Sequence, residues 1–288
     1  MEGKKTNKDK NFLVIGAGQM GAGIAQVAAE NGYNVKIEDI NALLVKKAIK
    51  NIYDRWDRAQ KKGKREGWEV AGFKKQLNTF DEQDYNSFKF IIEAVSENEN
   101  IKKEIFSKIG KTASKDAIIG SNTSSISISN LAKSSGMPEN FIGIHFMNPV
   151  PVMPLVEVIE GDETSQKTTK ETMDFVKKIN KTPAKSKDNP GFISNKILMP
   201  MLNEAIETLA NKTGTKEDID TVMELGMRHP LGPLKLADLI GLDTCLAIMN
   251  VLYDGFGDKK YKPSPLLAQK VKENKLGRKT GEGFYKYN

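Results

Sequence analysis

The stretch Asn11-Phe12-Leu13-Val14-Ile15-Gly16-Ala17-Gly18-Gln19-Met20-Gly21 decides the fold of this chain. Its first five residues form a short apolar run, rich in β-branched side chains, that is typical of a buried strand. A G-x-G-x-x-G pattern follows, and from residue 20 to 31 small and apolar residues recur with helical spacing. Gly32 is placed to end that helix, and residues 33–37 form a second apolar strand. The stretch therefore predicts a strand–helix–strand unit of about 30 residues.

The three glycines suit a loop that holds a dinucleotide. Gly16 makes the tight turn after the strand, Gly18 lets the backbone approach a pyrophosphate, and Gly21 allows the helix to pack closely on the strand. The helix that begins around Gln19 and Met20 directs backbone N–H groups and the positive end of its dipole at the phosphates. By itself the pattern is weak evidence, and it fits an FAD site as well as an NAD site. Here it lies between a predicted strand and a predicted helix, which is the structural context that a dinucleotide site requires.

Asp39 distinguishes between the nicotinamide dinucleotides. It stands 18 positions after Gly21, at the end of the second predicted strand, where a carboxylate can accept hydrogen bonds from the adenine ribose hydroxyls. A negative charge there would repel a 2′-phosphate, so we expect NAD as the cofactor, with NADP disfavoured by Asp39. The opposing interpretation is a glycine-rich turn in a protein that binds no nucleotide, with Asp39 an ordinary surface residue.

Strands and helices continue to alternate beyond this unit, which favours a doubly wound, mostly parallel sheet. The predicted strands lie at residues 90–95, 117–120, 141–146, 155–159 and 183–186, and predicted helices at 101–107 and 167–179. Between residues 41 and 80 we expect a basic insertion of one or two helices with an exposed joint at residues 61–65. Its apolar face is predicted to consist of Leu43, Leu44, Val45 and Ala48.

An all-helical C-terminal domain is predicted to follow Asp188-Asn189-Pro190-Gly191, whose residue types are typical of a loop between elements. We therefore expect domains at residues 1–189 and 190–288. The helices of the second domain are predicted at residues 192–210, 215–225, 235–253 and 265–273, and Thr215-Lys216-Glu217-Asp218 has the form of a capping box.

Composition limits the classes of protein that fit. A content of 39% hydrophobic and 28% charged residues is ordinary for a globular protein. No apolar run approaches the roughly 18–20 residues of a membrane helix, and the lysine-rich start lacks the apolar core of a signal peptide. We therefore expect a cytoplasmic protein without a membrane association.

The cysteine content and the charge of the chain limit the classes of protein further. Cys245 is the only cysteine, so no internal disulfide can form, and with only His145 and His229 beside it a zinc site, or any other metal site, is not expected. A net charge of +7 favours an anionic partner, although a lysine-rich solvated surface explains it equally well. The basic residues are spread along the chain without interleaved aromatic residues, which argues against nucleic acid.

Four further segments go beyond a generic dinucleotide fold. They are Glu93-Ala94-Val95-Ser96-Glu97-Asn98, Ser121-Asn122-Thr123-Ser124-Ser125, His145-Phe146-Met147-Asn148-Pro149-Val150-Pro151-Val152-Met153 and Lys279-Thr280-Gly281-Glu282-Gly283-Phe284-Tyr285. With the glycine loop, and in this order and spacing, they resemble the L-3-hydroxyacyl-CoA dehydrogenase family, in particular its short bacterial 3-hydroxybutyryl-CoA members. The resemblance implies NAD-dependent oxidation of an (S)-3-hydroxyacyl-CoA, of short chain, or the reverse reduction. It also implies a homodimer formed through the helical domain, which would close over the substrate.

The family's catalytic dyad, a histidine and a glutamate, corresponds to His145 and Glu157. The sequence supports this pairing independently, because Pro151 is the midpoint of the proline-rich segment, six residues from each. If the flanking strands fold back there, the two side chains lie opposite each other. Glu157 could then orient the imidazole while His145 removes the hydroxyl proton during oxidation. His229, which precedes Pro230, is interpreted as a loop residue.

The resemblance assigns roles to further polar residues. Ser124 and Asn195 match positions that hydrogen-bond the substrate oxygen, although the serine-rich stretch around Ser124 is equally typical of turns and helix caps. Lys62 matches a position that contacts coenzyme A, whose phosphates require basic partners, whereas Arg55 stands where relatives can carry serine. Positions near the cofactor correspond to Glu97, Lys102, Asn122, Ser124, Asn148 and Lys279.

Two alternatives to this function stay open. One is a related dehydrogenase that acts on a sugar acid or another hydroxy acid without coenzyme A. The other is a nucleotide-binding relative without catalysis, which would require a non-functional dyad even though His145 and Glu157 are both present.

Overall fold

Eight strands of the N-terminal part of the chain form one sheet. The computed structural model describes residues 7–63, 69–80 and 84–287. The strands within them are β1 (Asn11–Ile15), β2 (Asn34–Glu38), β3 (Leu77–Thr79), β4 (Phe90–Glu93), β5 (Ile118–Ser121), β6 (Phe141–Phe146), β7 (Leu155–Glu160) and β8 (Thr182–Lys187). Their order is β3-β2-β1-β4-β5-β6-β7-β8, and every neighbouring pair is parallel except β6 with β7. The predicted doubly wound, mostly parallel sheet is confirmed.

Four of the helices described in this part begin after an asparagine or a serine whose side chain caps the helix. Asn98, Ser127 and Ser165 each accept a hydrogen bond from a backbone N–H of the first helical turn, which stabilises a helix start by about 1 kcal/mol. The helices are α1 (Gln19–Glu30), α2 (Ala42–Lys61), α3 (Val70–Lys75), α4 (Glu99–Thr112), α5 (Ile128–Ser135) and α6 (Gln166–Lys178).

An aromatic cluster holds α6 against the sheet. The ring centroid of Phe175, on α6, lies 5.2 Å from that of Phe12 on β1 and 4.6 Å from that of Phe90 on β4. Tyr33, just before β2, packs edge-on against Phe175 at 5.3 Å. All four side chains are buried, and aromatic pairs add about 0.5–1.5 kcal/mol beyond their burial.

The basic insertion differs from its predicted form on the apolar face of α2. Leu43 and Leu44 are 72% and 45% exposed, so only Val45 and Ala48 of the predicted apolar face are buried. The buried face continues toward the end of the helix, where Trp56 donates a hydrogen bond from Nε1 to Glu30 Oε1 on α1 at 2.7 Å. The buried residues of α2 are Val45, Ala48, Ile52 and Trp56.

The end of the insertion is also different. Residues 77–79 were expected to be helical, but they form β3, which pairs in parallel with β2. A free sheet edge supplies backbone partners that local helical propensity does not anticipate. The predicted joint at residues 61–65 is described as far as Gly63, and Lys64 and Arg65 lie outside the described residues.

The chain divides into two compact units, Met1–Asp188 and Asn189–Asn288. Within the described residues the second unit contains α7 (Ser194–Ala210), α8 (Lys216–Thr221), α9 (Pro233–Ile240), α10 (Leu242–Phe256) and α11 (Pro265–Lys272). The predicted capping box is confirmed, since the Thr215 and Asp218 side chains each bond the other's backbone N–H.

One helix of the second unit was predicted wrongly. Residues 235–253 were expected to form one helix, but α9 and α10 meet at Gly241 with a bend of 96°. The apolar pattern continues across Gly241 because both helices bury residues in the same core. Among the described residues, no single helix is long and apolar enough to cross a membrane, and only α9 and α10 pass that test as a bent pair.

Asp238, on α9, anchors the C-terminal segment of the second unit. Its buried carboxylate accepts hydrogen bonds from the Phe284 and Tyr285 backbone N–H groups and from the Tyr287 hydroxyl, each at 2.9 Å. A side chain at Gly283 would overlap this carboxylate. The glycine at position 283 is therefore explained by this contact.

Replacement of Asp238 by alanine should destabilise the protein by about 2–4 kcal/mol, because buried donors lose their acceptor. Thermal unfolding followed by circular dichroism measures the change. Asp254, an exposed residue on α10, provides the matched control, and Asp254→Ala should leave the midpoint nearly unchanged. Equal midpoints for the two variants would contradict the anchoring role.

Candidate functional site

The glycine loop forms a cradle at the carboxyl end of β1. Gly16 has a φ of +108°, and an added Cβ would lie 2.6 Å from the carbonyl oxygen of Ala94. A Cβ at Gly21 would overlap the carbonyl oxygen of Gly16, whereas one at Gly18 would meet no described atom within 4 Å. No described side chain caps the start of α1 at Gly18. The loop therefore leaves open space in front of the first N–H groups of α1, which fits a pyrophosphate.

Asp39 lies at the same edge, directly after β2. Its Oδ2 accepts a hydrogen bond from the Ala17 N–H at 2.8 Å, and its Oδ1 accepts one from the Asn41 N–H at 3.1 Å. These bonds tie the carboxylate to the glycine loop. An ionised carboxylate has about four acceptor positions, so the group retains the capacity to bind ribose hydroxyls.

His145 and Glu157 lie directly opposite each other in the antiparallel β6–β7 pair, so the predicted folding back of the strands is confirmed. The His145 Nδ1 and Glu157 Oε2 atoms are 2.9 Å apart, and both residues are buried, with 8% and 1% exposure. Because an ionised carboxylate only accepts, the proton of this bond belongs to Nδ1. Nε2 is consequently the ring atom that can exchange a proton with a ligand.

The proline-rich segment between these strands is tied to the rest of the first unit. Lys181 Nζ donates hydrogen bonds to the carbonyl oxygens of Val150 and Met153, each at 2.7 Å. Asn148, which precedes a cis Pro149, accepts a hydrogen bond at Oδ1 from Gln19 Nε2 at 2.9 Å. Two residues predicted to contact the cofactor, Gln19 and Asn148, are thereby brought together. Sequence reasoning gave no role to Lys181, which resembles any surface lysine in the sequence.

Glu97 organises the loop that carries Ser124. Its Oε1 accepts hydrogen bonds from Thr123 Oγ1 at 2.6 Å and from the Ser124 and Ser125 N–H groups at 2.9 and 3.2 Å. Burial by itself would raise the pKa of Glu97, but the Lys102 ammonium and these hydrogen bonds outweigh it and lower that pKa below its ordinary value. Glu97 is therefore a stable anion that holds the main chain at Ser124.

Lys102 is inside the first unit and is not part of a solvated helix face. It is 1% exposed, and its Nζ lies 2.6 Å from Glu93 Oε1 and 3.4 Å from Glu97 Oε2. Glu93, the last residue of β4, is wholly buried. Sequence reasoning assigned no role to Glu93, since a glutamate in a predicted strand carries no signal of its partner.

Asn122 links the ends of two strands beside the dyad. Its Oδ1 accepts a hydrogen bond from the Phe146 N–H at 2.9 Å, and its own N–H donates to the Glu93 carbonyl oxygen at 2.8 Å. The side chain thus fixes the end of β6 immediately after His145.

The remaining residues singled out from the sequence lie on or directly after α2 in the first unit, or in the second unit. Lys62 is exposed directly after α2. Arg55 donates from Nε to Gln26 Oε1 at 2.8 Å, and burial, with a smaller contribution from Arg58, lowers its pKa. Asn195 is buried in the first turn of α7. Lys279 Nζ lies 2.6 Å from Asp243 Oδ2 within the second unit.

Comparison with known proteins extends these observations to the whole chain. Residues 11–189 match the family model of the 3-hydroxyacyl-CoA dehydrogenase NAD binding domain, and residues 191–287 match that of the 3-hydroxyacyl-CoA dehydrogenase C-terminal domain. A probable 3-hydroxybutyryl-CoA dehydrogenase of Deinococcus radiodurans is 50% identical, with 96% of this chain and 99% of the relative covered. A 3-hydroxybutyryl-CoA dehydrogenase of Bradyrhizobium diazoefficiens is 47% identical over 96% and 95% of the two chains.

The fold agrees with these sequence relationships. The crystal structure of (S)-3-hydroxybutyryl-CoA dehydrogenase from Ralstonia eutropha superimposes with a TM-score of 0.94 at 43% identity, covering 97% of this chain and 99% of that one. Both halves of this chain and nearly all of its length are thus accounted for by one group of proteins. The chain belongs to the 3-hydroxyacyl-CoA dehydrogenase family.

Proposed function

We propose that this protein is an oxidoreductase that converts an (S)-3-hydroxyacyl-CoA to the 3-oxoacyl-CoA with NAD, and catalyses the reverse reduction. The observation that carries this proposal is the buried His145–Glu157 pair, whose Nδ1 and Oε2 atoms are 2.9 Å apart. His145 stands at the carboxyl end of β6, the edge of the sheet at which β1 leads into the glycine loop. Ligands of open parallel sheets bind at this edge.

The dyad supplies the proton transfer that alcohol oxidation requires. We assign His145 the role of a base that takes the C3 hydroxyl proton at Nε2, with Glu157 stabilising the resulting imidazolium through Nδ1. In the reduction, the same Nε2 returns the proton. When bound, NAD supplies the hydride acceptor at its nicotinamide ring. Gly16, Gly18 and Gly21 would hold its pyrophosphate and Asp39 its adenine ribose.

Neutral donors would stabilise the charge that develops on the substrate oxygen. We assign this role to Ser124, whose main chain is held by Glu97, and to Asn195 of the second unit. A hydroxyl and an amide can both donate to an alkoxide or a carbonyl. Glu97, Lys102, Asn122, Asn148 and Lys279 are proposed to lie at or near the cofactor, as in the family.

The substrate class follows from the relatives, whose names specify 3-hydroxybutyryl-CoA. We propose a short acyl chain for this protein and contact of Lys62 with the phosphates of coenzyme A, a strongly anionic ligand suited to a chain of net charge +7. We further propose that the protein acts in the cytoplasm as a homodimer.

The direct experiment mixes the purified protein with acetoacetyl-CoA and either NADH or NADPH and follows the loss of absorbance of the reduced cofactor. We expect rapid oxidation of NADH and slower oxidation of NADPH. Free acetoacetate is the matched control, because turnover of the free acid without turnover of the thioester would instead support a dehydrogenase of a non-CoA hydroxy acid. If neither the thioester nor the free acid is turned over, the result would support the alternative of a nucleotide-binding relative without catalysis.

Removal of the base should abolish most of the activity. His145→Ala is expected to lower kcat by about 10²- to 10⁴-fold, the usual contribution of general acid–base catalysis. Glu157→Gln should lower kcat by about 10- to 150-fold, since a hydrogen bond to a charged group contributes about 1.5–3 kcal/mol. His229→Ala removes the other histidine, which lies in the second unit, and should retain full activity. An active His145→Ala variant would refute the dyad.

The charge of Asp39 should set the choice between the cofactors. Asp39→Ser removes the repulsion of a 2′-phosphate and a ribose acceptor, so the ratio of kcat/KM for NADH to that for NADPH should fall at least about tenfold. Asp162→Ser, at an exposed carboxylate of the same unit, is the control. An unchanged ratio in the Asp39 variant would remove its assigned role.

The second unit carries an apolar surface suited to pairing with another copy. Val222, Leu225 and Met227 are 58%, 79% and 61% exposed. Val222 also lines a cavity of about 470 Å³, together with Met201, Ala205, Ile219 and Met223 among others. Exposed apolar patches of this kind mark interaction sites.

Leu225→Glu should therefore shift the protein toward monomers, because a charge buried in an apolar interface is costly. Size-exclusion chromatography with light scattering measures the mass. The control is Leu43→Glu in the first unit, where the leucine is 72% exposed. If both variants keep the molecular mass of the unaltered protein, Leu225 is not part of an interface between copies.

A further inference from the structure

Glu93 is a buried acid that the chemistry proposed above does not use. It ends β4, and its carboxylate has three described partners, each 2.6 Å away. Oε1 accepts hydrogen bonds from the Val95 N–H and from Lys102 Nζ, and Oε2 accepts one from Ser121 Oγ. A wholly buried carboxylate is costly unless it is paired and hydrogen-bonded, and Glu93 meets both conditions. It joins the ends of β4 and β5 and the start of α4.

The partner of Glu93 is shared with the loop that carries Ser124. Lys102 Nζ lies 2.6 Å from Glu93 Oε1 and 3.4 Å from Glu97 Oε2. One buried ammonium therefore serves two carboxylates, and the shorter bond to Glu93 determines where it sits. Lys102 is 1% exposed and Glu93 is wholly buried, so little solvent is available to screen or replace the contact between them, whereas the Glu97 side chain is 41% exposed.

Glu97 transmits this arrangement to the main chain. While Oε2 faces Lys102, Oε1 accepts hydrogen bonds from Thr123 Oγ1 and from the N–H groups of Ser124 and Ser125. A lysine that has lost Glu93 would move toward Glu97 to recover a full ion pair. The Glu97 carboxylate would then turn, and its bonds to the Ser124 loop would lengthen.

We propose that Glu93 is a positioning residue, which fixes Lys102, and through Lys102 and Glu97 sets the place of Ser124 relative to the substrate oxygen. The assignment rests on the proposed function, in which Ser124 donates to that oxygen. This role differs from a purely structural one because a change at Glu93 should affect turnover only through the position of Ser124.

A double-mutant cycle separates these two roles, since residues that act through one another have non-additive effects. The variants are Glu93→Gln, Ser124→Ala and the double variant, each assayed for kcat and KM with acetoacetyl-CoA and NADH, with rates normalised to the folded fraction. Glu93→Gln should lower kcat about tenfold in the otherwise unaltered chain. In the Ser124→Ala background the same change should alter kcat by less than about twofold.

Glu160→Gln is the matched control. Glu160 is a buried acid of the same sheet, 4% exposed, and its Oε2 lies 2.8 Å from Lys187 Nζ. It stands at the far end of β7 from the proline-rich segment, so its replacement should leave kcat within about twofold of the unaltered protein. If Glu93→Gln does not fold, Ser121→Ala takes its place in the cycle, because it removes one bond to Glu93 and keeps the charge. We expect a loss of about two- to fivefold that likewise disappears without Ser124.

Each outcome decides the assignment. Effects of Glu93→Gln and Ser124→Ala that multiply in the double variant, or an unchanged kcat in Glu93→Gln, would overturn the positioning role while leaving the dehydrogenase intact. Absence of turnover by the unaltered protein would overturn the proposed function and, with it, this assignment.

Discussion

The antiparallel pairing of β6 with β7 is the constraint on which the candidate site depends. Every other neighbouring pair of the sheet is parallel, and parallel strands are joined by crossovers that carry the chain away from its starting edge. Between β6 and β7 the proline-rich segment reverses the chain direction at the same edge of the sheet. The register therefore places Glu157 opposite His145, and the strand pair fixes their separation without a contribution from flexible loops.

The rest of the site is arranged around the same edge by side chains that join strand ends. Asn122 bonds the backbone of β6, Glu93 joins β4 to β5 and α4, and Glu97 holds the loop after β5. These bonds link rigid strand ends to one another. Such an arrangement limits the freedom of Ser124 and His145 before any ligand binds, which is the condition for preorganised catalysis.

Charge at this edge of the sheet is concentrated in acids with defined partners, of which Glu93 and Glu157 are buried. Glu157 faces an imidazole, while Glu93 and Glu97 share Lys102. A buried ion pair contributes little net stability, because its attraction is offset by desolvation. Its presence in the sheet is better explained by the geometry that it enforces on the neighbouring loops.

The sequence alone determined the strand–helix–strand unit, the glycine loop, the position of Asp39 and the opposition of His145 and Glu157, because each depends on local spacing. It mispredicted residues 77–79 as helix and residues 235–253 as one helix, because long-range packing overrode the local pattern. It also did not distinguish the exposed Leu43 and Leu44 from the buried residues of the same apolar face. Only the tertiary structure decided the partners of Glu93, Lys102 and Lys181. Their contacts join segments that the sequence keeps apart, and an ionisable side chain carries no local sign of the group that will neutralise it.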